Sequence, residues 1–486
     1  MRYNPPEADL RINAMAPDTA PANDRRNSQR LSEALEKLQG LLGDRLSTSQ
    51  AVRDQHGQGE DHFHIAAPDA VAFAESTEEV SQIVKICAEH ELPVIAWGTG
   101  TSLEGHVQAL NGGITIDLSG MNKVLEVSSE DGDCMVQAGV TRKALNEHIR
   151  DTGYFFPVDP GADASLGGMA ATGASGTNAV RYGTMKENVI GLTVVMADGR
   201  VMKTGGRARK TSAGYDLTHL IVGSEGTLGI ITEVRLRLYG VPEKIAAAVC
   251  QFDDLAGAVE TVQQTIQMGV PVARMELVDD VQLQACMDYS KLEGFEAKPT
   301  LFFEFHGTET GVAEQAEIVE ALAMDNSGGA FQWTAKAEER TKLWEARHNA
   351  YYAALAHVPG KSGWSTDVVV PISRLAECIV ATKDDIGASN LYSPICGHVG
   401  DGNFHCCIIV DLDDAEEMGR ATAFNDRLVN RALSMGGSCS GEHGVGMSKI
   451  GHMRNEVGEE AYEVMQQLKR ALDPQNIMNP GKVAPV

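Results

Sequence analysis

Apolar residues recur along this chain with two periods. Over residues 77–91 they fall three and four apart, the spacing of a helix with one buried stripe, and 93–96 is a short apolar strand running into a glycine-rich turn. From 113 to 238 the pattern shortens, and 113–117, 134–138, 191–196 and 227–238 read as strands punctuated by glycine with only short helices between them. Turn residues at Gly240, Val241 and Pro242 close that stretch. Beyond them helical periods at 255–268, 313–323 and 338–355 alternate with strands at 299–306 and 404–411. A last helix, 459–472, stops at Asp473-Pro474 because proline cannot continue it. An early helix is predicted at 30–42, while residues 1–27, rich in Pro, Ala, Asn and Asp, predict little order. Strands and helices without regular alternation make the fold class α+β.

A chain of 486 residues exceeds what one core usually serves. The expected division is an N-terminal tail with helices over 1–62, a first domain over 63–241, and a second over 242–486 whose last segment returns to the first. Net charge is -26, which repels phosphate backbones and disfavours nucleic acid as a partner. It also means that an anionic substrate needs a local basic or metal site to hold it. No apolar run reaches the roughly 18 residues of a membrane span, and none near the start resembles the core of a secretion signal. Arg2, Arg11, Arg25 and Arg26 are offset by Glu7 and Asp9, which does not favour an organelle transit peptide. The nine cysteines include no CxxC pair, as expected of reduced thiols in a cytosol-like compartment.

Three glycine-rich segments stand out. Gly98, Thr99, Gly100, Thr101 and Ser102 follow a predicted strand, where small residues let backbone N–H groups approach a pyrophosphate; a plain structural turn is the competing reading. The third glycine comes too late for the GxGxxG dinucleotide fingerprint. Residues 160–169 and 172–176 concentrate small side chains that would waste packing unless a large flat ligand or another backbone lay against them. Residues 223–231 then lead into a strand. In this order the three segments resemble the FAD-binding domain of vanillyl-alcohol oxidase type flavoproteins. That resemblance implies a two-subdomain FAD-binding domain followed by a C-terminal cap domain with an antiparallel sheet and flanking helices. It also implies that Gly98, Thr99, Gly100, Thr101, Ser102, Pro160, Gly161, Ser165, Gly168, Ser175, Gly176, Glu225, Ile231 and Asn479 line FAD. Some members of that family bind flavin covalently through His or Cys, but noncovalent FAD is expected here, His106 notwithstanding.

Candidate metal chemistry lies in Cys396-Gly397-His398-Val399-Gly400-Asp401-Gly402-Asn403-Phe404-His405-Cys406. Asp-Gly between two strand-like stretches is a strong hairpin signal. With Asp401 and Gly402 as the two turn residues, His398 lies directly opposite His405, and Cys396 opposite Cys407. Opposed residues share a face with Cβ atoms roughly 4.5–5.5 Å apart, so two imidazoles could reach one divalent ion. The cysteines are expected as buried hydrophobes. A third ligand would come from Ser440-Gly441-Glu442-His443-Gly444-Val445-Gly446, which offers a carboxylate and a histidine on a glycine-flanked loop. On the predicted helix 338–355, Arg347 falls beside the apolar stripe with Trp344 and Tyr351. A half-buried guanidinium there needs an anion, either an internal carboxylate or, preferred here, that of a substrate.

Both histidine motifs resemble those of FAD-linked D-2-hydroxy acid dehydrogenases, most of all the cytochrome-linked D-lactate type. The likeness extends through 346–355, Ser365-Thr366-Asp367-Val368 and Met478-Asn479-Pro480-Gly481-Lys482. It implies His398, His405 and Glu442 as ligands of a divalent metal, zinc or manganese, with His443 as the base that takes the substrate's hydroxyl proton and Arg347 orienting its carboxylate. The implied reaction is oxidation of a D-2-hydroxy acid to the 2-oxo acid, D-lactate to pyruvate foremost. Glycolate, D-2-hydroxyglutarate, or service as the flavin subunit of a larger glycolate dehydrogenase complex are the alternatives, and a flavin-free zinc hydrolase is the rival from another class. Cytochrome c, a quinone or an electron-transfer flavoprotein would accept the electrons. The expected setting is cytoplasmic, with attachment at the inner membrane or a mitochondrial address in a eukaryote as variants, and a homodimer is among the expected assemblies.

Overall fold

The computed structural model describes residues 23–486, so the expectation for the first 22 residues lies outside the described residues. From Asn23 the chain is helical to Leu42, beginning earlier than its hydrophobic period suggests. Helix Thr77–Glu89 buries Val80, Ile83, Val84 and Cys87, the stripe that its spacing predicts, and Ser76 caps it by accepting the N–H of Glu79 at 3.2 Å. These two helices share a core with a four-stranded sheet in which Ala70–Phe73 and Val94–Trp97 both run parallel to Ile114–Asp117, and Leu46–Ser47 adds an antiparallel edge. The chain end joins this layer. Val94 donates to Ile477 O at 2.7 Å and accepts from Asn479 N–H at 2.8 Å.

A second sheet of five antiparallel strands follows, ordered Val124–Ser128, Asp133–Gln137, Ile230–Arg237, Val189–Val195 and Val201–Gly205. Tyr239–Gly240 pairs with Tyr154–Phe155, and Lys244 opens the next layer. That layer is an eight-stranded sheet running from Gln332–Thr334 through Lys244–Gln251, Thr300–Gly307, Val272–Val278, Ile395–Gly397 and Asn403–Val410 to Ser362–Ser365, with Val368–Val369 also paired to Asn403–Val410. The architecture is thus α+β, with helices flanking a large antiparallel cap sheet.

The two faces of that sheet differ in chemistry, and the difference creates the site. One face carries Ala246, Ala248, Phe303, Phe305, Met275 and Leu277, which pack into the largest core beneath helices such as Leu255–Gln267 and Glu309–Asp325. The alternate residues point the other way, since side chains change face at each step along a strand. Arg274 opposes Glu304, Glu276 opposes Phe302, Val278 opposes Cys396, and Cys396 opposes His405. A row of ionisable groups therefore crosses neighbouring strands on one face.

Two local expectations change. The predicted helix 338–355 is two helices, Ala337–His348 and Ala350–His357, separated at Asn349. The hairpin is not a two-residue turn: Val399–Asp401 forms a 3-10 turn and Gly402 takes φ +79°, the left-handed conformation that suits glycine. The longer turn shifts the register by two, so that His405 faces Cys396, and Cys407 donates to Pro394 O rather than facing Cys396. His398 is the residue at which strand gives way to turn. Because the shift is even, His405 keeps the face that the two-residue turn predicts.

Candidate active site

His398 and His405 converge in spite of the shifted register, their ring centroids 5.4 Å apart and nearly perpendicular. Glu442 Oε1 lies 3.1 Å from His398 Nε2 and 3.2 Å from His405 Nε2. One ligand atom from each residue falls within 4.8 Å of the other two, which makes a group with the dimensions of a metal site. The far nitrogens are already engaged: His398 Nδ1 with Glu276 Oε1 at 2.7 Å, and His405 Nδ1 with Thr366 O at 2.9 Å. Both acceptors require Nδ1–H, so in the neutral tautomers two Nε2 lone pairs and a carboxylate face one another with no donor among them. Glu442 Oε2 is also buried without a hydrogen-bond partner among the described residues. Three electron-pair donors pointing at one space fit a cation.

Electrostatics agree. Burial disfavours the charged form of His398, but Glu276 and Glu442 hold its pKa well above the usual imidazole value. Burial likewise opposes ionisation of Glu442, yet His398 and His405 keep its carboxyl well below the usual range. His398 thus keeps its proton against burial beside an ionised Glu442, a role a divalent ion would take over from that proton.

Glu276 and Asp367 complete the surroundings, and neither was assigned a role from sequence. Glu276, fully buried, also takes Arg347 Nη2 at 2.7 Å, so the internal carboxylate that competed with a substrate is present. Arg347 Nε is buried without a hydrogen-bond partner among the described residues. Trp344 is buried near it, whereas Tyr351, expected alongside, is 36% exposed. Asp367 fastens the Glu442 loop: Oδ2 accepts from Ser440 Oγ at 2.8 Å and from the N–H groups of Glu442 and His443 at 3.0 and 2.9 Å. The Asp367→Ala variant would leave these donors without their acceptor and the buried Lys449 ammonium with one carboxylate, Glu104, in place of two. It is expected to destabilise the fold by about 3 kcal/mol, read by urea denaturation, as loss of one partner of a buried charge does.

His443 stacks on His405 with centroids 5.0 Å apart and planes at 8°. Burial lowers its pKa, but Asp367 and Glu104 outweigh that and leave it raised. Its loop is joined to the glycine-rich segments. Glu225, at φ +54°, accepts from Val445 N–H on Oε1 at 2.7 Å and from Gly446 N–H on Oε2 at 2.8 Å, and His106 Nε2 stands 3.1 Å from Oε2. Asn479 Nδ2 donates to Glu225 O and His106 O. The carboxylate of Glu225 thus ties the His443 loop to the third glycine segment, while the amide of Asn479 ties the chain end to Glu225 and His106, functions for which sequence offered no signal.

Those segments meet one another. A Cβ on Gly98 would collide with Ser165 Oγ, one on Gly176 with Asp159, and Gly100, at φ +70°, packs against the Trp97 ring. Residues 97–103 are half-buried, Gly161 and Gly168 are exposed, and nothing lies within 4 Å of where a Gly161 side chain would begin. Ser102 Oγ on the first segment and Ser224 Oγ on the third are buried without hydrogen-bond partners among the described residues. Thr99 and Thr101 hydroxyls lie 3.2 Å apart, Pro160 is half-buried, and Ser175 and Ile231 are buried beneath. Small residues, an open floor and unsatisfied hydroxyls fit a long polar cofactor such as FAD.

The comparisons agree with this geometry. Residues 68–205 match the family described as FAD binding domain, and residues 241–483 that described as FAD linked oxidases, C-terminal domain. The chain is 53% identical over 457 residues to a Danio rerio protein named probable D-lactate dehydrogenase, mitochondrial, covering 93% of this chain and 92% of that one. It is 45% identical over 455 residues to an Arabidopsis thaliana protein named D-lactate dehydrogenase (cytochrome), mitochondrial, covering 93% and 80%. In fold it is similar to the solved structure of 4-ethylphenol oxidase from Gulosibacter chungangensis, with a TM-score of 0.78, 19% identity, and coverage of 94% of this chain and 97% of that one. The chain belongs to the FAD-linked oxidoreductases of the vanillyl-alcohol oxidase type, in the branch of the D-2-hydroxy acid dehydrogenases.

Proposed function

We propose that this enzyme oxidises a D-2-hydroxy acid to the 2-oxo acid with noncovalent FAD and a divalent metal, zinc or manganese, and that D-lactate is its substrate. The observation that carries the proposal is the meeting of His398, His405 and Glu442, with His443 stacked on their edge and its loop tied to the glycine-rich segments. Two imidazoles and one carboxylate suit either metal and leave positions open for substrate oxygens. When bound, FAD would supply the acceptor for the C2 hydride, and a cation held by His398, His405 and Glu442 would supply the Lewis acidity that lowers the pKa of the 2-hydroxyl. His443 takes the hydroxyl proton. Arg347, charged and fixed by Glu276, directs its unpartnered Nε–H toward the substrate carboxylate. Glu276 and Thr366 hold the rings of His398 and His405 so that their Nε2 atoms face inward.

Choice of a monocarboxylate rests on the basic groups nearby. Lys361, the basic residue nearest in sequence to Gly363 and Trp364, is bound to Glu417 by contacts of 2.6 and 2.7 Å. Trp364 instead stacks on His62 at 4.1 Å, presenting aromatic surface next to Gly363. The names of the two relatives favour D-lactate over glycolate and 2-hydroxyglutarate and a mitochondrial setting over the cytoplasmic one expected from sequence, and the second name favours a cytochrome as acceptor. No helix among the described residues is long and apolar enough to cross a membrane.

Anaerobic titration with D- and L-lactate, glycolate and D-2-hydroxyglutarate tests the reading. D-lactate should bleach the flavin absorbance fastest, and L-lactate should leave it unchanged. Faster bleaching by glycolate or 2-hydroxyglutarate would reassign the substrate, and a colourless protein would favour a hydrolase.

A further inference from the structure

Glu104 belongs to the first glycine-rich segment, yet its carboxylate lies among residues 443–449. It is 3% exposed. Lys449 Nζ stands 3.0 Å from Oε1, Ser448 Oγ donates to Oε2, and His443 Nδ1 is 3.6 Å from Oε1. Burial pushes this carboxyl up, but Lys449, His443 and Ser448 bring it down to about 2, so the group is an anion. Nδ1 of His443 is buried and has no hydrogen-bond partner within 3.5 Å among the described residues. A buried ring nitrogen facing a carboxylate at this distance is the arrangement that closes to a hydrogen bond once substrate occupies a site.

We infer that Glu104 is the positioning residue of the base: its carboxylate takes the Nδ1–H of His443 and so fixes the tautomer whose Nε2 lone pair is free for the substrate's hydroxyl proton. The inference rests on the proposed role of His443. On transfer the proton moves to Nε2, the ring becomes an imidazolium, Nδ1 keeps its own proton, and Glu104 stays ionised, as an orienting carboxylate does. Lys449 serves the same arrangement. Its ammonium is buried between Glu104 and Asp367 Oδ2, at 3.0 and 3.4 Å, and Asp367 accepts the backbone N–H of His443. One cation therefore holds both carboxylates that frame the ring. Because Glu104 is contributed by the segment that would bind FAD, base and flavin are placed by one stretch of chain.

Glu104→Gln separates orientation from packing. With its amide oxygen drawn to Lys449, the glutamine turns N–H toward Nδ1 and favours the tautomer with the proton on Nε2, which cannot act as base. In the FAD-loaded enzyme, anaerobic flavin reduction by D-lactate should slow about 100-fold or more, while KM, bound FAD and bound metal stay as in the parent. The double variant Glu104→Gln/His443→Ala should be no slower than His443→Ala alone, since the two act as one unit. If Glu104→Gln fails to hold FAD, Glu104→Asp serves, keeping the charge but withdrawing it by one methylene, and the same comparison applies. Reduction at the parental rate in the Glu104 variant, with His443→Ala slow, would overturn the inference alone, as would multiplying losses in the double variant. Parental reduction in His443→Ala would remove the base itself, and Glu104's role with it.

Discussion

His443→Ala should slow substrate reduction of the flavin about 100-fold or more, the usual cost of losing a general base, while FAD and metal remain bound. The separation is expected because His443 stacks on the cluster without belonging to its ligand set: the three converging donors are His398, His405 and Glu442. Its backbone N–H, bound by Asp367, survives the change, so the loop that carries Glu442 keeps its anchor. Stopped-flow absorbance gives the rate, and metal analysis on the same sample shows that the ligand set is intact. A parental rate would end the assignment of His443. A slow variant that had also lost its metal would assign the defect to the loop instead of to the base.

Glu442→Gln should reach further, because it removes the only anionic member of the ligand set. Two imidazoles and a neutral amide bind a divalent ion far more weakly than two imidazoles and a carboxylate. Metal affinity should fall by more than the 10- to 100-fold that loss of an outer-shell partner costs, and activity with it. The flavin spectrum should be unchanged, since Glu442 contacts His398, His405 and Asp367 rather than the glycine-rich segments. Titration of the apo variant with Zn2+ or Mn2+ reads the affinity directly. Parental affinity would place the ion elsewhere.

Much of this was legible in the sequence, for reasons that also explain the gaps. The stripe at Val80, Ile83, Val84 and Cys87 and the strand at Val94 follow from periodicity alone, because each element buries one regular face. The hairpin shows how a wrong local geometry can still give the right neighbours. Asp-Gly signalled a reversal, and the turn proved longer, but an even shift leaves His405 on the same face and brings His398 round to it. A one-residue shift would have sent His405 into the apolar core. Glu276 had a signal that periodicity could have exposed: a lone carboxylate in the otherwise apolar stretch Met275 to Val278 must be paired. Its partners, His398 and Arg347, lie 122 and 71 positions away and meet it only through tertiary packing. Glu104 and Glu225 had no such signal. Each lies in or beside a glycine-rich segment, and each reaches a loop more than 200 residues later that local sequence cannot point to.

That internal ion pair also refines the view of Arg347. A buried guanidinium must have an anion, and Glu276 supplies one before any substrate arrives. Such pairing is compatible with substrate binding because five N–H donors exceed what one carboxylate oxygen engages. It further ties the arginine to the metal cluster, since the other oxygen of Glu276 holds His398.

The most direct test follows flavin bleaching by D-lactate under anaerobic conditions in one preparation carried through three states: as isolated, stripped by chelator, and resupplied with Zn2+ or Mn2+. Bleaching should be fast in the first, nearly absent in the second and restored in the third, with FAD retained throughout. Undiminished bleaching in the stripped, metal-free protein would contradict the account, because hydride transfer would then proceed without the cation that His398, His405 and Glu442 are proposed to hold.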